Sequence, residues 1–401
     1  MDPLTHFLTG AAIGRAGFNR KTAYATLVAV LAAEAADIDV LWGLAGPVEM
    51  LKHHRGITHT FLAAPVIAAA MAGMVWAVNR RAQARRGGGS RAGRERGAAR
   101  PAAAPGPQPA PAAADASAAH PALAAAGPPV ARQKIHWGWL YATALVAALS
   151  HLLLDWTNNY GLRPFFPFNP RWYAGSLVFI ADPVLWALLL LALLMPWLFG
   201  LADREMGVRR REFRGRGWAI FALTGMVLVW GWRWAEQGRA RMLVENAPIT
   251  TVPVARMALE PYPVNPFRWH LIVETAGFYQ TAEVNTLTGA IATDPRQDVI
   301  FKPPVTAVVR AAELTPLGRV YLDWGRWAVV RDVGPVPIPG LIPPELPASR
   351  RWTTVHFTDL RFDYSYLGAD RSVRRAPLDG WVYIVDGRED AGEMLDGREQ
   401  R

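Results

Sequence analysis

The residues best suited to chemistry in this 401-residue chain are histidines and aspartates set in apolar stretches. The densest group is the run HHRGITH at residues 53–59, which contains His54 and His59. His151 and Asp155 are four positions apart, so on a helix they share one face and can reach one ion. The same pair could instead form a hydrogen bond that ties two helices together. Either interpretation gives the pair a partner inside the protein.

Three further polar residues lie near helix ends. Asp37 and Asp39 are two positions apart, and a regular helix would point them in different directions. They can serve one site if the helix ends or unwinds there, which the glycines that follow make possible. The alternative is a pair of solvated acids at a helix end. His6 follows Asp2 by four positions and repeats the one-face spacing.

Asp39, Arg55 and Asp182 are predicted as catalytic residues. The planar guanidinium of Arg55 suits a phosphate group, and a packing role is the alternative. Asp182 precedes Pro183, which is also typical of an aspartate that caps a helix. We expect His53 to be structural.

The types of ligand atom available narrow the choice of metal ion. The chain has no cysteine, so thiolate ligands and disulfides are excluded. Mixed imidazole and carboxylate ligands suit Zn²⁺, with Mn²⁺ and Fe²⁺ as alternatives, better than Ca²⁺ or Mg²⁺. The candidates exceed the needs of one four-coordinate ion, so we expect one or two ions. Such a site activates water for hydrolysis, and no Gly-rich phosphate loop, nucleophile elbow or HExxH motif is present.

The elements that position these residues are apolar segments. Apolar residues make up 51% of the chain and charged residues 19%, a balance that suits partial solvation by lipid. Residues 3–17 are too few for a full span of about 20 residues and predict a half-helix. Spans are predicted over residues 22–44, 58–78, 137–156, 176–199 and 218–234.

Composition divides the chain into four parts. Residues 79–134 are rich in Arg, Gly, Ala and Pro and cannot bury a core. After residue 245, short β-branched and aromatic runs alternate with turn residues. The predicted parts are a first membrane helical part (1–78), a disordered cytoplasmic linker (79–134), a second membrane helical part (135–240) and an extracytoplasmic β-rich domain (241–401).

Arginine distribution predicts the orientation. The net charge is +10, and arginines concentrate at residues 80–100 and 204–216, beside apolar runs. The positive-inside rule places both segments in the cytoplasm, and we therefore expect a bilayer rather than nucleic acid as the partner. Alternating spans then place the histidines and aspartates at the outer helix ends. Ionisable groups at membrane depth usually face a cavity, a partner or an ion.

At these residues the chain resembles the YdjM-type family of inner-membrane proteins, which are assigned as metal-dependent hydrolases. The matching stretches are MDPLTHFLTG (1–10), ADID (36–39), HRGITHT (54–60), HLLLDW (151–156), NYG (159–161) and IADP (180–183). The resemblance implies hydrolase activity and seven metal ligands: His6, Asp37, Asp39, His54, His59, His151 and Asp155.

The predicted fold is an α-helical membrane bundle of about five spans plus an N-terminal half-helix, followed by a soluble β-rich domain. The predicted function is metal-dependent hydrolysis at the outer face of the inner membrane, on a small-molecule or lipid-derived substrate such as a phosphoester. The alternative is a non-catalytic scaffold whose His/Asp network is structural and whose β domain binds a partner. A transporter is disfavoured because the polar residues lie near one face rather than at the midplane.

Overall fold

The structure, a computed structural model, describes residues 1–98, 133–206, 215–367 and 376–400. A helical part comes first and antiparallel sheets follow, as the predicted fold class requires. The helices of the first part are α1 (Pro3–Ala16), α2 (Ala25–Glu34), α3 (Pro47–His53), α4 (Ala63–Ala98), α5 (Trp137–Thr157), α6 (Pro183–Glu205) and α7 (Arg216–Asn246).

Helix α4 differs from the sequence prediction at its C-terminal end. It continues to Ala98, so residues 79–98 of the predicted linker are helical. Residues 99–132 of that linker, and residues 207–214 of the second Arg-rich segment, lie outside the described residues.

Three helices in the described part of the chain are long and apolar enough to cross a membrane: Ala63–Ala82, Trp137–Thr157 and Pro183–Asp203. Helix α1 has 14 residues and corresponds to the predicted half-helix. The predicted span over residues 22–44 is divided, because α2 ends at Glu34 and a 3₁₀ segment runs from Ala35 to Ala45. Helix α7 contains the last predicted span and is not among the three. The structure thus supports a multi-helix membrane part, and the count of five spans stays a proposal.

Helices α1 and α2 pack with their backbones close together. A Cβ atom added at Gly10 would lie 2.8 Å from the Ala29 carbonyl oxygen, and one at Gly14 would lie 2.5 Å from Thr26 Cα. The facing residues of α2 include Ala29 and Ala33, both fully buried. Small residues permit this approach, which brings α1 against the end of α2 where the 3₁₀ segment begins.

Gly10→Ala is expected to destabilise the protein by about 1–3 kcal/mol, because overpacking forces the two helices apart. Thermal unfolding in detergent measures this as a lower midpoint. Gly73→Ala in α4 is the matched control, since a Cβ there meets nothing within 4 Å. Equal midpoints for the two variants would contradict the close packing of α1 and α2.

The second part contains two five-stranded sheets. The first consists of β1 (Arg256–Pro261), β2 (Arg268–Glu274), β3 (Phe278–Asn285) and β4 (Ala290–Ala292) in that order, with β5 (Val299–Phe301) paired to β3. The second has the order β10 (Arg398–Glu399), β9 (Glu389–Leu395), β8 (Gly380–Val385), β7 (Trp352–Asp359) and β6 (Ala328–Gly334). Helices α8 (Ala307–Glu313) and α9 (Pro316–Trp324) join them and contribute to the core of the second sheet.

The helical part and the β domain share buried contacts at one end of the helices. Leu51 of α3 and Tyr160, just after α5, pack into the same core as Trp324 of α9 and Phe357 of β7. The last turns of α7 contribute Val244 to the core of the first sheet. The β domain therefore lies against α3 and the segment that follows α5.

A buried acid in the β domain predicts a pH-dependent stability. Burial raises the pKa of Glu260 to about 7, and its Oε2 has no hydrogen-bond partner among the described residues. Because the folded pKa lies above the unfolded one, the neutral acid stabilises the fold below about pH 4.5, and this contribution is lost as pH rises to about 7. In chelator, the thermal midpoint of Glu260→Gln should fall less between pH 5 and pH 8 than that of the wild type. Parallel profiles would contradict this assignment.

Candidate metal centre

Seven histidine and aspartate side chains meet where four segments of the helical part converge. They are His6 of α1, Asp37 and Asp39 of the 3₁₀ segment, His54 and His59 after α3, and His151 and Asp155 of α5. We call them the His/Asp cluster. They are the seven residues that the family resemblance implied as ligands.

The 3₁₀ winding explains how Asp37 and Asp39 serve one cluster. Residues two apart point about 160° apart on an α-helix, but about 120° apart at three residues per turn. Asp37 Oδ1 lies 3.2 Å from His59 Nε2, and Asp39 Oδ2 lies 3.1 Å from His59 Nδ1. Asp39 Oδ1 lies 3.0 Å from His54 Nδ1. The α-helix therefore ends at Glu34, as the i, i+2 spacing required, and the chain continues in the tighter 3₁₀ winding from Ala35 onward.

Asp155 contacts three histidines of the cluster. Its Oδ2 lies 3.3 Å from His151 Nε2 and 3.4 Å from His59 Nε2. Its Oδ1 lies 3.4 Å from His6 Nε2. The rings of His6 and His151 stack with their centroids 3.8 Å apart. One carboxylate thus faces imidazoles from three segments.

The cluster contains three overlapping groups, in each of which one ligand atom per residue lies within 4.8 Å of the others. The inner group is His6, His151 and Asp155; the middle group is Asp37, His59 and His151; the outer group is Asp37, Asp39 and His54. His151 belongs to two groups, and so does Asp37. The arrangement has the donors for one ion or for two adjacent ions.

Several buried nitrogen and oxygen atoms of the cluster lack hydrogen bonds, which costs free energy unless a cation binds them. The side chains of His6, His59, His151 and Asp155 are fully buried. Within the described residues, both ring nitrogens of His6, His151 Nε2 and Asp155 Oδ2 have no hydrogen-bond partner. Buried polar atoms are nearly always paired, because losing water without a replacement is unfavourable. A divalent cation fits this donor set, since it would accept these lone pairs.

The orientation of His151 is that of a metal ligand. Its Nδ1 lies 2.6 Å from the carbonyl oxygen of Ala33. A carbonyl oxygen only accepts, so Nδ1 carries the hydrogen and donates it. The lone pair of Nε2 then points towards Asp155 and the cluster. Metal-binding histidines are commonly held in this way, with the second ring nitrogen donating to a carbonyl or carboxylate.

The model of the YdjM inner membrane protein family matches residues 1–240. The chain belongs to this family. The resemblance found in the sequence is thereby confirmed, and the whole His/Asp cluster lies within the matched part. The β domain lies outside it. No curated protein and no solved structure shows significant similarity to the chain.

In this YdjM family member, Arg55 contacts protein groups on several sides. Its Nη2 pairs with Asp155 Oδ1 at 3.0 Å, and its Nη1 donates to the Gly161 carbonyl at 2.8 Å and to Asn158 Oδ1 at 3.3 Å. The side chain is buried, and Nε has no hydrogen-bond partner. These contacts give Arg55 a role in holding Asp155; the phosphate contact predicted from the sequence stays a prediction.

Sequence reasoning missed several groups that orient the carboxylates. The Thr58 hydroxyl donates to Asp39 Oδ2 at 3.0 Å, and the backbone N–H of Arg55 donates to the same oxygen at 2.9 Å. The amino group of Met1 pairs with Asp155. Thr58 lies inside the histidine run, so its position beside the ligands was a usable signal.

Two sequence candidates lie outside the three groups. Asp182 Oδ1 accepts from the backbone N–H of Val184 at 2.9 Å, so it caps the start of α6. These contacts support the capping interpretation of Asp182 and give no support to its catalytic assignment. His53 stacks on Trp42 with ring centroids 4.1 Å apart, in keeping with the structural role expected for it.

Proposed function

We propose that this protein is a membrane-embedded, metal-dependent hydrolase whose metal is held by the His/Asp cluster. The observation that carries the proposal is the orientation of His151. Its Nδ1 is hydrogen-bonded to the Ala33 carbonyl, while its Nε2 faces Asp155 and has no hydrogen-bond partner in the part of the chain that the structure describes. A histidine tied only to Asp155 for structural reasons would be expected to form a well-aligned hydrogen bond to it.

The donor set supports Zn²⁺, with Mn²⁺ or Fe²⁺ as alternatives. The inner group would hold one ion and the outer group a second, with His59 between them. The cluster contains three carboxylates but only two cationic neighbours, the Arg55 guanidinium and the Met1 amino group, which both pair with Asp155. With neutral histidines the cluster therefore has a net negative charge that favours a cation. When bound, such an ion lowers the pKa of a coordinated water and polarises a phosphoryl or carbonyl oxygen.

The chain's own carboxylates differ in their access to water. The oxygens of Asp39, which the sequence nominated for catalysis, are contacted by His54, Thr58 and the Arg55 backbone, and its side chain is 4% exposed. The side chain of Asp37 is 19% exposed. We therefore assign Asp37, rather than Asp39, as the ligand that also accepts a proton from the attacking water, through the carboxylate oxygen that does not hold the metal.

Apolar side chains beside the ligands favour a substrate with a hydrocarbon part. Ile38 lies between Asp37 and Asp39 and is 60% exposed, and Ile57, two residues before His59, is 61% exposed. Phe61 is also largely exposed. A lipid-derived phosphoester would place its apolar part against these side chains and its headgroup at the cluster.

The five-span topology of the inner-membrane protein, with an extracytoplasmic β domain, is part of this proposal. Helix α4 begins just after His59, and α5 ends just after Asp155, so two consecutive candidate spans have their cluster ends on one side. Alkaline phosphatase fused to the C-terminus should be active, because this enzyme matures only outside the cytoplasm. A fusion after Arg81 should be silent. The reverse pattern would place the cluster on the cytoplasmic side.

Hydrolysis is tested on purified wild-type protein in detergent, with long-chain and short-chain phosphomonoesters and phosphodiesters. We expect the wild type to hydrolyse a long-chain substrate in a metal-dependent way: chelator should abolish turnover, and Zn²⁺ or Mn²⁺ should restore it. Asp37→Asn should reduce turnover at least tenfold. His53→Ala is the control and should keep wild-type activity. Stoichiometric metal without turnover of any ester would refute the hydrolase.

One set of observations favours the second candidate, a structural metal site in a scaffold. Four of the seven ligand side chains are fully buried. Two cavities of about 270 and 310 Å³ are lined by residues of the β domain rather than by the cluster. A closed coordination shell with no exchangeable position would support this reading, because catalytic sites keep one position open.

A further inference from the structure

We infer that the β domain completes the metal centre, with Arg361 as a positioning residue that acts through the segment 158–161. This inference rests on the proposed metal site. It extends the centre beyond residues 1–240, which the family model matches.

Arg361 connects the β domain to the segment that follows α5. Its side chain is 1% exposed, and its Nη1 donates to the carbonyl oxygens of Asn159 at 3.1 Å and Tyr160 at 3.3 Å. These residues begin two positions after the last residue of α5, the helix that carries His151 and Asp155. A side chain of the β domain thus fixes the backbone next to two candidate ligands.

The guanidinium of Arg361 is itself held in one orientation. Its Nε donates to Asp359 Oδ1 at 3.0 Å and its Nη2 to Asp359 Oδ2 at 2.9 Å, the paired geometry that fixes an arginine in direction. Nη2 also donates to the Trp324 carbonyl at 3.2 Å. The two β-domain residues form a rigid fork whose remaining donor, Nη1, contacts the helical part.

The same segment holds Arg55 from its other side. Asn158 Oδ1 accepts from the backbone N–H of Tyr160 at 2.8 Å and from Arg55 Nη1 at 3.3 Å. The Gly161 carbonyl accepts from Arg55 Nη1 at 2.8 Å, and the Arg55 guanidinium lies 4.6 Å from the centre of the Tyr160 ring. Arg55 in turn pairs with Asp155. The path from Arg361 to Asp155 therefore consists of direct contacts throughout.

Tyr364 adds an independent contact on this path. Asn159 Nδ2 donates to the Tyr364 hydroxyl at 3.3 Å, and that hydroxyl donates to the Pro261 carbonyl at 2.8 Å. Tyr364 is fully buried. Removing its hydroxyl changes one atom and leaves the charges of Arg361 and Asp359 paired, which makes it a mild test of the same connection.

Arg361→Lys tests the inference because it keeps a positive charge beside Asp359 and removes the fork. In full-length protein in detergent, we expect Zn²⁺ to bind about tenfold more weakly, the scale at which outer contacts of metal sites act. Thermal midpoints in chelator show whether the fold is unchanged. Arg350→Lys is the matched control, because Arg350 pairs with Asp386 and Glu389 on the surface of the same domain.

If Arg361→Lys does not fold, Tyr364→Phe tests the inference in its place. Tyr364→Phe should also bind Zn²⁺ more weakly than the wild type. A positioning role also predicts that both variants lower kcat more than they raise KM for any ester the wild type hydrolyses. Zn²⁺ affinities equal to wild type in every folded variant would overturn the inference. A wild-type protein that binds no metal would instead refute the proposed function on which it rests.

Discussion

Purified His151→Ala protein is expected to retain almost no bound metal. His151 belongs to both the inner and the middle group, so its loss removes a donor from each. Losing an outer contact of a metal site typically weakens binding roughly 10- to 100-fold, and losing a ligand shared by two groups should cost at least as much. Inductively coupled plasma mass spectrometry measures this loss as the metal content of each protein after dialysis against a weak chelator.

His53→Ala is the matched control for this experiment. His53 is close in sequence to His54 and His59, but it stacks on Trp42 and belongs to none of the three groups. We expect it to keep the wild-type metal content. If His151→Ala and His53→Ala hold equal amounts of metal, His151 is not a ligand.

Asp155→Asn is expected to lower both metal content and stability, and the stability loss should persist in chelator. The substitution leaves the buried guanidinium of Arg55 and the Met1 amino group without their carboxylate. Breaking a buried ion pair from one side typically costs about 3–5 kcal/mol. Thermal unfolding with excess chelator isolates this contribution from that of the metal.

Asp37→Asn serves as the comparison, because Asp37 is partly exposed and its ion-pair contacts in the described residues are to histidines alone. It should lower metal content while changing the chelator midpoint much less than Asp155→Asn does. Equal midpoints for the two variants in chelator would show that the Arg55–Asp155 pair does not hold the helix ends together.

Much of the cluster could be predicted from sequence because its spacing and topology are local. His151 and Asp155 share a helix face by their i, i+4 separation, and the predicted alternation of spans put them at the same helix ends as the run that contains His54 and His59. The need for a helix break at Asp37 and Asp39 was also predictable. The form of this break was not predictable, because the change to 3₁₀ winding at Ala35 depends on the packing of α2 against α1 and α5.

Thr58 was missed although it lies inside the histidine run, whereas Arg361 was missed because it acts through contacts distant in sequence. Arg361 bonds to the backbone of Asn159 across 202 positions, and no local pattern marks that pairing. For Asp182 the sequence context allowed either a helix cap or a catalytic role. The structure shows the capping contacts at the start of α6, and the catalytic role stays a prediction.

The central claim, that the His/Asp cluster binds a divalent metal, is tested most directly by X-ray absorption on metal-loaded wild-type protein. We predict about one or two ions per chain, a first shell of nitrogen and oxygen at roughly 2.0–2.2 Å, and the outer scattering of several imidazole rings. A stoichiometry near zero, or a bound ion with water oxygens but no imidazole scattering, would contradict the claim.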